Sequence, residues 1–221
     1  AKFDRTFADL PAQQFIEDWL VRKLNVTFLS IGDDFKFGAK RQGNFALLQQ
    51  AGEQFGFVVE DNRSFCLDAL RISSTAIREA LANDDLTLAE KLLGRPYRIL
   101  GRVIHGNELG RTIGFPTANI RLHRQVNPVK GVYAVKVRLK SGAFFNGVAN
   151  IGTRPTINGV NQLLEAHLFD FQGDLYGQWL DVELCHKIRN EMKFPSFDDL
   201  KAQIAKDVET AKNVFKTDRT L

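Results

Sequence analysis

At Gly94-Arg95-Pro96 the pattern of the chain changes, and this change limits the folds open to it. Upstream, helical and strand patterns alternate. Pro11 to Leu24 repeats apolar residues at helical spacing, Val26 to Ile31 reads as a short buried strand, Asn44 to Phe55 as a helix, Gly56 to Glu60 as a strand and Ser73 to Ala82 as a helix. Thr87 and Glu90 have capping-box spacing for a further helix, which Gly94 and Pro96 stop. Such alternation predicts an α/β domain with a parallel sheet. Downstream the chain is strand-rich, with runs at 97–104, 131–139, 143–151, 163–169 and 178–185. Nine of the 17 glycines fall between 101 and 159, mostly between these runs, which predicts a small antiparallel barrel or sandwich. A helix closes the chain: Ser196 and Asp199 mark its start, and Phe197, Leu200, Ile204, Val208, Ala211 and Phe215 form one stripe. The domain boundary is therefore placed between 96 and 97.

Composition removes several classes. With 44% apolar and 25% charged residues the chain is neither disordered nor fibrous. No apolar run exceeds four residues, so no helical bilayer span is expected, and no secretory signal opens the sequence. Cys66 and Cys185 form no CxxC, and the four histidines show no metal-ligand spacing; a reduced, cytoplasmic setting is expected. Residues 1–96 hold 12 basic and 14 acidic groups, residues 97–221 hold 18 and 12. The second half should attract an anion: a nucleotide, a phosphorylated substrate or nucleic acid. Nucleic acid is the least favoured, because aromatic residues do not alternate with basic ones along a strand face.

The densest chemical pattern runs from Gly101 to Asn119. Gly101, Gly106, Gly110 and Gly114 would let backbone N–H groups approach phosphate oxygens, with Arg102 and Arg111 adding charge. The same glycines also suit a pair of β-turns. It is not a Walker A loop, since no Lys-Ser/Thr follows and Pro116 opposes a helix. In the extended segment Pro116-Thr-Ala-Asn119, Thr117 and Asn119 share one side and offer the hard neutral oxygens that suit Mg²⁺, or a side-chain-stabilised turn. Glu165, flanked by apolar neighbours on a strand, has the character of a general base or of a solvated strand face. Asn150 and Arg154 head a second Gly/Pro turn, and 187–194 joins the last strand to the final helix. In the first half, Gly32-Asp-Asp-Phe-Lys-Phe-Gly38 follows a strand end, and Arg71-Ile-Ser-Ser-Thr-Ala-Ile-Arg78 opens a helix with hydroxyls and arginines.

Taken together these segments resemble the bacterial bifunctional riboflavin kinase/FMN adenylyltransferase (FAD synthetase) family. The resemblance covers all 221 residues and rests on five segments in order: 32–38, 71–78, 114–119, 147–156 and 189–194. It implies a six-stranded Greek-key kinase barrel over 97–221, with a C-terminal helix, and the later part of an adenylyltransferase domain over 1–96. Thr117 and Asn119 would hold Mg²⁺ and the ATP phosphates alongside Gly101, Gly106, Gly110, Arg111 and Gly114. Glu165 would be the catalytic base, and Asn150, Arg189 and Glu191 would contact the flavin. Asp34, Phe35, Arg71, Ser74, Thr75 and Arg78 would belong to the adenylylation site. The implied activity is ATP-dependent phosphorylation of riboflavin to FMN, with ADP as co-product.

One departure stands out. The family's adenylyltransferase domain opens with a His-x-Gly-His type loop, and these 221 residues contain none. The expectation is a chain without the first part of that domain, which makes FMN but not FAD. The competing expectation is a flavin- or nucleotide-binding module without turnover. Neither membrane nor nucleic acid is expected as a partner.

Overall fold

The computed structural model describes residues 2–32, 34–62, 65–68, 70–106, 114–122, 127–156 and 159–217, the side chains of 154–156 and 159–161 excepted. The chain forms two compact units, Ala1–Arg71 and Ile72–Leu221.

In the first unit, α1 (Arg5–Ala8) precedes α2 (Ala12–Phe15), which runs on as a π-helix over Ile16–Lys23. Strands β1 (Phe28–Gly32) and β2 (Val58–Asn62) pair in parallel, Phe28 opposite Val58, with α3 (Phe45–Phe55) as the crossover. Asn44 caps α3 by accepting from the Leu47 N–H at 3.0 Å, and Gly56 ends it in the left-handed region. Ile16, Leu20, Ile31, Leu48, Ala51 and Phe57 form the core beneath this pair. The small strands β3 (Cys66–Leu67) and β4 (Leu70–Arg71) pair antiparallel.

The second unit begins with the helices α4 (Ser74–Ala82) and α5 (Leu86–Leu93). Packing thus places both with the strand-rich half, and the division between units lies ahead of the pattern change at Gly94–Pro96. The Thr87–Glu90 spacing is not the cap of α5; Asp85 accepts the Leu88 N–H at 2.9 Å instead. Asp85 stands immediately before Leu86, so its carboxylate meets the free N–H groups first.

Six strands then close a barrel in the order β10-β5-β6-β9-β8-β7. They are β5 (Arg98–Ile104), β6 (Ala118–Leu122), β7 (Gly131–Leu139), β8 (Phe144–Thr156), β9 (Gly159–Leu168) and β10 (Trp179–Arg189). All neighbours are antiparallel. Closure leaves no open edge, and opposed residues share a face, so the interior can be read from register. Ile99, Val103, Ile120, Tyr133, Val135, Val137, Ile151, Leu164, Ala166, Leu180 and Val182 fill it, none more than 3% exposed. Strand β6 was not among the runs expected from sequence, where only 116–119 read as extended. It alternates, with Ala118, Ile120 and Leu122 turned inward and Asn119 and Arg121 outward, and Asn119 is buried although it lies on the outer face.

Helix α6 (Phe197–Thr217) covers the outer face of β7, β8 and β10. Ala211 and Phe215 pack there on Val132, Ala134, Val148 and Phe169. Ser196 caps it, accepting from the Asp199 N–H at 3.1 Å. Phe197, at the start of the expected stripe, is 49% exposed, whereas Asp207 within the helix is 3% exposed.

Candidate active site

The barrel register brings three of the expected polar residues into one line. Asn119 of β6 lies opposite Glu165 of β9, and Glu165 lies opposite Asn150 of β8. Cβ atoms so opposed are about 5 Å apart. Ile120 and Leu164, next to them, point inward, so this row faces outward. The row continues to Val132 of β7 and then to Arg189 of β10. Asn119, Glu165 and Asn150 are thus distant in sequence but adjacent in the wall, with Arg189 one strand further on, beyond Val132.

At the Asn119 end of the row lies a cleft of about 480 Å³. Pro116, Thr117, Ala118 and Asn119 form one side; Phe171, Gly173, Asp174, Leu175 and Tyr176 line it from the loop before β10. Each side is held in place. His167 Nδ1 bonds the Pro116 carbonyl at 2.9 Å, and its ring meets Phe115 edge-on. The Arg102 Nε donates to the Gly177 carbonyl at 2.9 Å, and Tyr176 stacks on His105 at 3.9 Å. The Asp174 carboxylate accepts the Tyr176 N–H at 2.8 Å and so shapes its own loop. Phe171, Asp174 and Tyr176 were not singled out in the sequence, because loop residues carry no periodic signal.

Asn119 is 5% exposed, and its Nδ2 donates to the Thr117 carbonyl at 3.3 Å. That bond uses a donor of the amide and leaves Oδ1 as the acceptor on a cleft-lining side chain. The Thr117 hydroxyl and the Asn119 amide oxygen form a neutral, hard donor set that fits a divalent cation already carrying phosphate oxygens. Gly106 borders this group: a Cβ there would lie 2.5 Å from Asn119 Nδ2. Gly101 has a different reason to be glycine. A Cβ at 101 would run into the Ile120 side chain inside the barrel, so packing accounts for it. Gly114 is exposed with φ +86° and open space around it, as a turn glycine would be. Gly110 and Arg111 lie outside the described residues, and the side chain of Arg154 does too.

At the other end of the row, the Arg189 guanidinium is engaged within the protein. Its Nε donates to Asp207 Oδ1 at 2.9 Å and its Nη2 to Asp207 Oδ2 at 2.8 Å, while Nη1 donates to the Asn190 carbonyl at 2.9 Å. The guanidinium fork of Arg189 thus faces the last helix. Glu191 packs its carboxylate against Gly152 of β8, where any side chain would collide with it.

The remaining expected residues divide between the units. Asp34 and Arg71 form an exposed ion pair at 3.2 Å, and Phe35 stacks with Phe37 at 5.6 Å. Ser74, Thr75 and Arg78, on α4, line a different cleft with Tyr97 and Pro128. Ser73 caps α4, accepting the Ala76 N–H at 3.1 Å. Among the described residues no His, Cys, Asp or Glu group could hold a metal ion, and no helix is long and apolar enough to cross a membrane.

Residues 93–215 match the family model for riboflavin kinase, and residues 1–76 match that for FAD synthetase. The bifunctional riboflavin kinase/FMN adenylyltransferase of Haemophilus influenzae is 78% identical over 217 residues, covering 98% of this chain and 70% of the relative. The chain belongs to the bifunctional riboflavin kinase/FMN adenylyltransferase family. The Escherichia coli K12 member is 59% identical over 214 residues, covering 97% and 68%. A solved structure described as a macrolide-efflux protein from Streptococcus pneumoniae is 34% identical with a TM-score of 0.72, covering 96% of this chain and 68% of that one. In this family setting, the closed six-stranded barrel with its C-terminal helix is the kinase part, and the first unit lies within the span that matches FAD synthetase.

Proposed function

We propose that residues 97–221 transfer the γ-phosphoryl group of ATP to the 5′-hydroxyl of riboflavin, giving FMN and ADP. The observation that carries this reading is the row Asn119–Glu165–Asn150 running out from the cleft lined by Thr117 and Asn119. ATP occupies the cleft, its base against the apolar wall of Phe171, Leu175 and Tyr176 and its phosphates toward Gly106, Thr117 and Asn119. Thr117 and Asn119 would hold Mg²⁺, which would supply neutralisation of phosphate charge. Riboflavin lies across the outer face near Asn150 and Glu191, with its ribityl chain toward Glu165. The Glu165 carboxylate takes the proton of the 5′-hydroxyl as that oxygen bonds to the γ-phosphorus. The bond from the γ-phosphorus to the bridging oxygen breaks, and ADP leaves with the electron pair. The barrel wall fixes these groups before substrate arrives, so little reorganisation is needed in the reaction.

Asp34, Phe35, Arg71, Ser74, Thr75 and Arg78 are the remnant of an adenylylation site, and they would serve adenylyl transfer from ATP to FMN only in a chain that also carries the His-x-Gly-His segment. A polypeptide of these 221 residues, having no His-x-Gly-His segment, makes FMN without FAD. The test is incubation with riboflavin, ATP and Mg²⁺ followed by chromatographic separation of riboflavin, FMN and FAD. FMN formation that falls by about 10²–10⁴ in Glu165→Gln supports the reading. Flavin binding without ADP formation, unchanged in Glu165→Gln, would replace it with a binding module. FAD formation would remove the account given for the first half.

A further inference from the structure

Helix α6 reads from sequence as an apolar stripe, yet its most buried polar side chain is an aspartate. Asp207 is 3% exposed. Both of its oxygens accept from Arg189: Oδ1 from Nε at 2.9 Å, Oδ2 from Nε at 3.1 Å and from Nη2 at 2.8 Å. Gln203, one turn earlier, donates its Nε2 to Oδ1 at 2.9 Å. Arg189 is itself only 17% exposed. Ion pairs this deep are costly to desolvate, and well-packed apolar residues often serve stability as well or better. The geometry therefore calls for a role beyond stability.

That role follows from what Arg189 holds. It is the last residue of β10, beyond two register shifts against β7, between Leu184 and His186 and between Lys187 and Arg189. Each shift inserts an unpaired residue and loosens the ladder. Past Arg189 the chain leaves the sheet. Its first carbonyl, that of Asn190, accepts from Arg189 Nη1, and the Phe194 ring lies 5.7 Å from the guanidinium carbon. Between these two attachments Glu191 reaches Gly152, two residues from Asn150 and so beside the Asn150–Glu165 pair. One guanidinium thus grips both ends of segment 190–194, and Asp207 grips the guanidinium.

We propose that Asp207 is a positioning residue for riboflavin: through Arg189 it sets segment 190–194 against the outer wall where the flavin lies. The inference rests on the kinase reading above. ATP binds at the opposite end of the row, so the effect is confined to the flavin side.

The experiment measures FMN formation by the full 221-residue chain with riboflavin varied at saturating MgATP, and with ATP varied at saturating riboflavin. Asp207→Ala should raise KM for riboflavin at least tenfold while KM for ATP stays within twofold. Asp207→Glu should recover part of the loss. A merely structural role would move both constants, or neither. Because Asp207→Ala leaves a buried guanidinium unpaired, the chain with both Arg189→Met and Asp207→Leu is measured beside it, since it keeps the volume and removes both charges. This double variant should fold and still show the raised KM for riboflavin. Wild-type KM for riboflavin in a folded double variant overturns the proposal, as does an equal rise in both constants. Absence of FMN from the wild-type chain would instead refute the kinase reading itself.

Discussion

Asp84 offers the sharpest test of how helices α4 and α5 are held to the barrel. It sits in the turn between them at φ +61°, and its Oδ1 accepts from the Tyr133 hydroxyl at 2.9 Å and from Lys187 Nζ at 2.7 Å. Tyr133 is fully buried and the Lys187 side chain is 17% exposed. Asp84→Ala removes an acceptor shared by a phenol and an ammonium. Severing a fully buried pair costs about 3–5 kcal/mol. Here both donors keep the Lys130 carbonyl, at 3.1 and 2.6 Å, and Asp84 is itself 36% exposed, so water reaches the gap. About 2 kcal/mol is the appropriate figure for the lost acceptor. Alanine in the left-handed region adds about 1 kcal/mol. The expected loss is therefore about 3 kcal/mol for Asp84→Ala, about 2 for Asp84→Gly, which carries no left-handed penalty, and about 1 for Asp84→Asn, which keeps an acceptor. For a unit of this size, 3 kcal/mol lowers Tm by roughly 6–12 °C. The chain has two tryptophans, Trp19 in the first unit and Trp179 in the second, so a Trp19→Phe background reports the barrel unit alone by fluorescence during urea or thermal unfolding. An Asp84→Gly protein within about 0.5 kcal/mol of its parent would refute the reasoning, because losing the shared acceptor would then cost nothing.

Two further outcomes are expected. Gly106→Ala places a Cβ 2.5 Å from Asn119 Nδ2, so Asn119 must move; kcat/KM for ATP should drop roughly tenfold or more with KM for riboflavin unchanged, and unaltered ATP kinetics would separate Gly106 from the phosphate site. Burial, and then the hydrogen bond to Asp84, hold the Tyr133 phenol well above its ordinary value of 10.0, so the native protein keeps this proton at a pH where the unfolded chain has lost it. The stability it contributes is complete below pH 10 and declines above it by up to about 1.4 kcal/mol per pH unit. Urea unfolding at successive alkaline pH values should show that decline, and an equal decline in Tyr133→Phe would exclude Tyr133 as its source.

The sequence by itself determined the local elements and the chemistry they carry. Period-3.6 and period-2 apolar patterns marked α2, α3, α4 and most barrel strands, and Gly94 with Pro96 marked the end of α5, because each depends on residues within a turn or two of one another. Thr117, Asn119 and Glu165 were singled out there as candidates, from residue type and neighbouring motif. What joined them was register: Asn119, Glu165 and Asn150 became neighbours only when β6, β9 and β8 paired, and a shift of one residue would have turned each to the other face. Strand β6 alternates over only five residues, Ala118 to Leu122, directly after Pro116, and so brief a run carries little periodic signal. Asp207 and Asp84 belong to none of the motifs read from the sequence. Their partners, Arg189 and the pair Tyr133 and Lys187, stand far off in sequence, and the bulges that aim Lys187 and Arg189 to different sides of β10 exist only against β7. The tertiary structure alone decided those pairings, because burial of a charge depends on which distant surface closes over it.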